Sequence, residues 1–166
     1  STDIIQAPNN QSPVVCVKYM SPYKTEYTDW RAGLNVPVLR YSDVLLIAAE
    51  AIMNLNGGGP SNRATGIAAA AAPFNLVRVR AGLAPITAPT FNDLMYERRM
   101  ELAFEGGDRH FDLVRWELAE SIYNALPAEG TYKPVRSYIP SRHRLLPYPQ
   151  GEIDNSNGSI KQNPNY

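Results

Sequence analysis

The sequence has very few of the residues that form disulfides and transition-metal sites. Cys16 is its only cysteine, and His110 and His143 are its only histidines. One cysteine excludes an internal disulfide and a thiolate zinc site made by this chain alone. Neither histidine lies three or four residues from a carboxylate, which is the spacing of metal ligands on a helix. We therefore expect no bound metal.

The chain also has no excess of either charge. Its 16 basic and 16 acidic residues cancel, and its isoelectric point is about 6.7. This balance gives no electrostatic reason to bind nucleic acid or an anionic membrane surface, so no nucleic-acid partner is expected. Arginine provides 12 of the 16 basic residues. Because guanidinium groups pair with carboxylates in a planar, bidentate geometry, this preference favours structural ion-pair networks.

Targeting and nucleotide-binding signals are absent as well. The stretch "STDIIQAPNN" has no basic region followed by an apolar one, and no later run is long enough to cross a membrane. The protein is therefore cytosolic, or its targeting segment lies outside these 166 residues. The glycine-rich "GGGPSNRATG" follows a predicted helix and has no phosphate-loop lysine, so no nucleotide or other cofactor is expected.

Proline content and apolar spacing divide the chain into two parts. Residues 1–36 contain several prolines and scattered aromatic side chains, which predicts an irregular lead-in with a short strand at "VVCVKY". Residues 37–166 are predicted to form a helical domain. Its first helix, "LRYSDVLLIAAEAIMNL", has apolar residues at helical spacing and stops at "NGGGP". Those apolar residues are Leu39, Val44, Ile47, Ala48 and Ala51.

Three further segments have helical patterns. "SNRATGIAAAAAPFNLVRVRAGL" predicts a helix that is kinked or begins afresh at Pro73. "PTFNDLMYERRMELAFEGG" predicts a helix with Thr90 as its N-cap and a glycine pair at its end. "RHFDLVRWELAESIYNAL" predicts a helix whose apolar stripe consists of Phe111, Val114, Leu118 and Ile122.

The last part of the chain predicts extended structure. "YKPVRSYIP" and "RLLPYPQ" are interpreted as strands, because proline excludes helix interiors. The predicted fold class is therefore mostly α, with tetratricopeptide-like helix pairs and irregular, proline-rich extended segments at both ends. We expect a single globular unit.

Residues 97–116, "ERRMELAFEGGDRHFDLVRW", concentrate charge and raise the question of an active site. Glu97, Glu101 and Glu105 form one line on a helix, and the next helix would bring Arg109 and Arg115 near them. Arginine neighbours would lower the pKa values of these carboxyl groups, whereas a catalytic acid needs a raised one. The stretch is therefore interpreted as ion pairs that join packed helices.

Aromatic side chains offer a better candidate for ligand binding. Tyr19, Tyr23, Tyr27 and Trp30 occur in a loop-like segment among charged and amide residues, which is the chemistry of a sugar-stacking platform. The alternative is that they cover the helical core from outside. Trp116 lies on the apolar side of its helix, and we expect it in the core.

Four blocks of sequence together resemble the carboxy-terminal region of the SusD/RagB family, the starch-utilisation lipoproteins of Bacteroidetes. They are "VPVLRYSDVLLIAAEAIMN", "NLVRVRAGL", "ERRMELAFEGGDRHFDLVRW" and "LLPYPQGEI" with "QNPNY", in the family's order. The resemblance implies a non-catalytic, surface-exposed outer-membrane lipoprotein. Such a protein captures oligosaccharide and delivers it to a TonB-dependent, SusC-like transporter.

The same resemblance implies that twelve charged residues belong to the family's scaffold signature. They are Arg40, Asp43, Glu50, Arg78, Arg80, Glu97, Arg98, Glu101, Glu105, Arg109, Asp112 and Arg115.

Two departures limit what the resemblance implies. The family's lipid-bearing cysteine stands at the mature N-terminus, whereas Cys16 lies in a valine-rich run without a lipobox, so Cys16 is not expected to be the anchor. Family members are also much longer, so we expect these residues to be a C-terminal fragment that lacks the lipid anchor and much of the sugar-contacting surface. The alternative function is a helical-repeat module that binds a protein or peptide without binding sugar.

Overall fold

The structure is a computed structural model that describes residue 18 and residues 37–106, 108–125 and 137–166. The described residues form seven α-helices and one short 3-10 turn, Ala68–Ala70. The helices are α1 (Tyr41–Leu55), α2 (Ala71–Arg80), α3 (Phe91–Glu101), α4 (Asp108–Arg115), α5 (Ala119–Asn124), α6 (Pro140–His143) and α7 (Gln150–Asn155). They belong to two compact units, Ser1–Gly106 with α1 to α3 and Gly107–Tyr166 with α4 to α7.

This architecture confirms the mostly helical fold class, and the described ranges contain no strand. The strands predicted after residue 131 are absent wherever that segment is described, and α6 and α7 occur there instead. Pro140 is the first residue of α6 and Pro149 is the N-cap of α7. Because proline has a fixed φ that suits a helix start, these prolines begin short helices rather than extend the chain. The predicted strand at "VVCVKY" lies outside the described residues.

Helix α1 provides one face of the core of the first unit. Leu46, Ala49 and Met53 are fully buried at positions that share one side of the helix. The predicted stripe lies on another side, where Val44 and Ile47 are 44% and 48% exposed. The helix is apolar on both sides, so spacing alone did not identify which side faces the core.

The glycines after α1 end the helix as predicted. Asn56 is the C-cap, and Gly57 follows it with φ +80°, a conformation that costs glycine little. The amide of Gly58 then donates to the carbonyl of Met53 at 2.9 Å, which satisfies an otherwise unpaired helix carbonyl.

Helices α2 and α3 pack against α1 and complete this core. Phe74 and Val77 of α2 and Phe91 and Leu94 of α3 are buried. Helix α2 begins after the 3-10 turn, and Pro73 occupies its first turn, where a missing amide donor costs nothing. The predicted fresh start near Pro73 is therefore confirmed.

The predicted N-cap of α3 is confirmed and is part of a reciprocal capping box. The amide of Asp93 donates to the Thr90 hydroxyl at 3.2 Å, and the amide of Thr90 donates to the Asp93 carboxylate at 2.8 Å. Two donors at the helix start are thereby satisfied.

In the second unit, the helix predicted to be continuous is broken into α4 and α5. Glu117 has φ +59°, and the amide of Leu118 donates to the Leu113 carbonyl at 2.9 Å. This pattern is a left-handed helix end in which glutamate replaces the usual glycine. The predicted stripe is only partly buried: Phe111 of α4 is 61% exposed, whereas Leu118 is buried, and Leu113 takes the buried side of α4 instead.

Trp116 lies in the core of the second unit, as predicted. Its side chain is 3% exposed, and the Arg115 guanidinium lies 4.8 Å from its ring centre.

Further along the chain, the Tyr166 hydroxyl donates to the Leu145 carbonyl at 3.0 Å, so the C-terminal tail folds back on itself. No helix in the described part of the chain is long and apolar enough to span a membrane.

Candidate functional site

Nine charged side chains of the first unit form three groups of ion pairs, which together we call the charged cluster. They are Lys18, Arg40, Asp43, Arg78, Arg80, Glu97, Arg98, Glu101 and Glu105. Three of the carboxylates lie in or just after α3, and their cations come from other segments. The observed partners therefore tie α3 to residue 18, to the start of α1 and to the end of α2.

Arg40 is at the centre of the charged cluster. Its Nη1 donates to Glu101 Oε1 at 2.7 Å, its Nε donates to Glu105 Oε2 at 2.5 Å, and its Nη2 donates to the Glu101 carbonyl at 2.7 Å. Lys18 Nζ donates to the carbonyls of Glu101 and Ala103 at 2.8 and 3.0 Å and pairs with the Glu105 carboxylate. One arginine and one lysine thus contact two carboxylates, the carbonyl of the last residue of α3 and a carbonyl two residues beyond it.

These contacts keep the two glutamates ionised. Burial by itself would raise the pKa of Glu101, but the hydrogen bond from Arg40 and the charges of Arg40 and Arg80 lower it below its usual value. For Glu105, burial is likewise outweighed by Arg40 and Lys18, and its pKa is also lowered. A carboxyl group with a lowered pKa is a poor general acid near neutral pH.

Two further pairs extend the charged cluster into the interior. Arg98 Nη1 donates to Asp43 Oδ1 at 2.7 Å, and the Arg98 side chain is only 6% exposed. Arg78 Nη1 donates to Glu97 Oε2 at 2.8 Å, and the Glu97 side chain is 5% exposed. Buried charges are costly unless they are paired and hydrogen-bonded, and each of these is.

The remaining signature residues lie elsewhere. Glu50 is buried in α1, and Arg109 lies in α4. Arg115 Nε donates to the buried Asp112 carboxylate of its own helix at 2.9 Å. The expected approach of Arg109 and Arg115 to the glutamates of α3 stays a prediction. Within the described residues, no group of three metal-ligating side chains forms.

The predicted sugar-stacking residues Tyr19, Tyr23, Tyr27 and Trp30 lie outside the described residues. Their role in ligand binding stays a prediction. The assignment of the charged residues to the scaffold also stays a prediction, although their contacts are those of paired charges.

A cavity in the second unit was not anticipated from the sequence. Its volume is about 300 Å³, and it lies between the α4–α5 junction and the start of α6. Val114, Ala119 and Pro140 form its apolar lining. Its polar lining consists of Tyr138, Glu117, Glu120 and Arg144.

Tyr138 belongs both to this cavity and to a set of packed rings, which we call the aromatic cluster. The aromatic cluster consists of His110, Tyr123, Tyr138 and His143. The centre of the Tyr138 ring lies 5.6 Å from those of Tyr123 and His143 and 6.5 Å from that of His110. The Tyr123 hydroxyl and His110 Nδ1 are 3.0 Å apart and share a hydrogen bond.

The backbone of Tyr138 is held in place as well. Its amide donates to Asn124 Oδ1 at 2.8 Å, and its carbonyl accepts from Asn124 Nδ2 at 3.3 Å. The next amide, that of Ile139, donates to His143 Nδ1 at 2.8 Å. A side-chain amide at the end of α5 therefore fixes the segment that carries Tyr138, and ring packing fixes its side chain.

The Tyr123 side chain of the aromatic cluster is uncharged. Burial raises the pKa of Tyr123, the charge of Arg109 opposes this rise, and Tyr138 adds to it. Tyr123 therefore keeps its proton near neutral pH. The sequence signal for this site was an aromatic residue in a polar segment, "SYIPSRHR", which is the same signal that selected residues 19–30.

Comparison with known proteins identifies the family of the chain. The model of the SusD family matches residues 2–166. The SusD-like protein P2 of Formosa agariphila is 29% identical, over 81% of this chain and 26% of that protein.

Solved structures agree with this match. Surface glycan-binding protein A from Bacteroides thetaiotaomicron is 36% identical with a TM-score of 0.63, over 80% of this chain and 25% of that one. Surface glycan-binding protein A from Bacteroides uniformis is 32% identical with a TM-score of 0.62, over 78% of this chain and 27% of that one. The chain thus spans about a quarter of the length of these relatives, and it belongs to the SusD family.

Proposed function

We propose that this chain is the C-terminal part of a protein that captures oligosaccharides at the surface of a bacterial outer membrane. The observation that carries the proposal is the likeness to two surface glycan-binding proteins, at 36% and 32% identity. The family match over residues 2–166 supports it, because it extends beyond the charged stretch to nearly the whole chain. The match therefore includes residues 2–36 of the irregular lead-in.

In this function the charged cluster acts as scaffold. Its carboxylates each contact a cation, and the pKa values of Glu101 and Glu105 are lowered. Proton transfer to a glycosidic oxygen requires a carboxylic acid that stays protonated near neutral pH. The chemistry of these groups supports capture without cleavage.

The proposal includes two finer steps. The captured oligosaccharide is passed to a TonB-dependent, SusC-like transporter, and the protein is held to the outer membrane as a lipoprotein. Both steps rest on the family. Neither involves Cys16, since a lipid-bearing cysteine would need a signal sequence directly before it.

The test uses the full-length gene product that contains these residues. We expect its migration in native gels to be slowed by at least one of starch, xyloglucan, laminarin and arabinan. We also expect chromatography of the incubated oligosaccharides to show no shorter products. Release of shorter sugars would overturn capture without cleavage, and unchanged migration with all four polysaccharides would overturn glycan binding.

The alternative, a module that binds a protein or peptide without sugar, has one observation in its favour. Tyr41, Val44 and Ile47 form an exposed apolar stripe along α1, with Tyr41 71% exposed. Such a stripe is typical of a helix face that packs against another helix. Two results together would favour this second function over glycan capture. The polysaccharides would leave the migration of the protein in native gels unchanged, and Ile47→Glu would raise the solubility of the chain.

A further inference from the structure

We propose that the cavity beside Tyr138 is a sugar subsite for a neutral ligand of about one or two pyranose rings. This inference rests on the proposed glycan function and places one binding site within the second unit. The cavity volume of about 300 Å³ is at the small end of the range for ligand pockets, roughly 300–1,000 Å³. It therefore suits a short ligand or one end of a longer chain.

The lining has the two kinds of surface that a sugar ring needs. Tyr138 contributes an aromatic residue to the lining, against which the C–H groups of a sugar ring can pack, and Pro140 and Val114 extend the apolar surface. Glu117 and Glu120 offer carboxylate oxygens that accept hydrogen bonds from hydroxyl groups, and Arg144 offers donors to ring and hydroxyl oxygens. Charge-assisted hydrogen bonds of this type are stronger than neutral ones.

The polar groups of this cavity are not used by the protein itself. Within the described ranges, Glu117, Glu120 and Arg144 take part in none of the observed ion pairs or side-chain hydrogen bonds. By contrast, the guanidinium of Arg115, two residues before Glu117, contacts both the Asp112 carboxylate and the Trp116 ring. Donors and acceptors around Tyr138 therefore remain for a ligand.

The backbone places one of these groups at a conformational cost. Glu117 has φ +59°, a region that disfavours side chains other than those of glycine, asparagine and aspartate. Glycine would end α4 more easily, and yet the position carries a carboxylate that lines the cavity. Strained positions of this type are concentrated at functional sites.

The charge of the lining selects among sugars. Two carboxylates face one guanidinium, so the cavity has an excess of negative charge. A uronic acid or a sulfated sugar would place a further negative charge in the cavity, which the two carboxylates would repel. We therefore expect neutral sugars to bind more tightly than their acidic counterparts.

The test is a titration of the isotope-labelled 166-residue chain, followed by amide chemical shifts. The probes are maltose, cellobiose and laminaribiose, together with glucose and glucuronate as a pair that differs in one carboxylate. We expect at least one neutral disaccharide to bind in the millimolar range and to shift the amides of residues 117–120 and 137–140. Glucuronate should bind more weakly than glucose.

Three variants test the assignment. Tyr138→Ala should weaken binding of the best probe about tenfold through loss of the stacking face. Glu120→Gln keeps the size of the side chain and should weaken it about threefold. Tyr148→Ala removes a tyrosine of the same unit that does not line the cavity, and should bind as the parent chain does.

The outcomes separate this proposal from the proposed function. Shifts confined to other residues, no shifts with any probe, or undiminished binding by Glu120→Gln would overturn the subsite. If the full-length protein still binds polysaccharide in those cases, only the subsite fails. If circular dichroism shows that Tyr138→Ala is unfolded, the subsite is still tested by Glu120→Gln and by the comparison of glucose with glucuronate.

Discussion

The two units of the chain use charged side chains in opposite ways. In the first unit, arginine, lysine and carboxylate groups contact one another, and Glu97, Glu101 and Glu105 have side chains that are only 5–8% exposed. In the second unit, Glu117 and Glu120 are exposed beside Tyr138 and line a cavity. The comparison is therefore between charges that are buried and paired around α3 and charges that are exposed beside an aromatic ring.

The largest expected effect is that of breaking the charged cluster. Glu101→Ala leaves Arg40 and Arg80 without the carboxylate that both contact. Arg40 is partly buried but keeps its contact with Glu105, so we expect the free energy of unfolding to fall by about 2 kcal/mol and the melting temperature by roughly 6 °C. Thermal denaturation followed by circular dichroism measures this. Arg99→Ala, an exposed change in the same helix, is the matched control and should shift the melting temperature little.

Acid should affect the first unit through the same carboxylates. The pKa values of Glu101 and Glu105 are lowered in the folded state, so their contribution is complete above the pKa of unfolded glutamate, about 4.3. It is lost as the pH falls through the lower folded-state values. We expect the melting temperature of the parent chain to fall more steeply below about pH 4.3 than that of Glu101→Gln. Parallel slopes in the two proteins would contradict the assignment.

A smaller effect is expected for the ion pair of the second unit. Arg115 pairs with Asp112 three residues earlier, but its side chain is 45% exposed, so water screens the pair. Its guanidinium also stacks on Trp116. We expect Arg115→Ala to cost about 1 kcal/mol, measured by urea denaturation. Arg115→Lys keeps the charge but loses the planar stacking, so its stability should lie between those of the parent chain and Arg115→Ala. A loss as large as that of Glu101→Ala would remove the contrast between the units.

The smallest expected effect has the opposite sign. Glu117→Gly relieves the left-handed backbone at the end of α4, and we expect a gain of about 0.5 kcal/mol in urea denaturation. Glu120→Gly places glycine inside α5 and should cost up to about 1 kcal/mol. Both variants remove a carboxylate from the cavity. If the subsite is real, both lose sugar affinity although their stabilities move apart.

Several features set by neighbouring residues were predictable from the sequence, although α3 ends at Glu101 and not at the predicted glycine pair. The N-cap Thr90 and the glycines after α1 depend on hydrogen bonds within a few residues, and both were found where they were expected. The end of α4 at Glu117 is equally local, but it lacks the glycine that normally marks such a turn, and it was missed.

Features that depend on distant residues were not predictable. The line of glutamates was visible from its spacing, but their partners are distant in sequence. Arg40 lies 61 residues from Glu101 and 65 from Glu105, and Lys18 lies 83 residues from Glu101. No periodic pattern contains that information. The cavity likewise requires Asn124 to bind the backbone of Tyr138 across 14 residues, and only the folded chain shows this.

The contacts of Arg40 have a consequence for the order of events in folding. Helices α1, α2 and α3 can each begin from local hydrogen bonds, whereas the bond from Arg40 to Glu101 closes a loop of 61 residues. Closing that loop costs chain entropy before the bond can form. We therefore expect the bond to form after the folding transition state. Substitutions there should mainly accelerate unfolding and leave the refolding rate nearly unchanged. Arg40 would then govern how long the folded state persists more than how quickly it is reached.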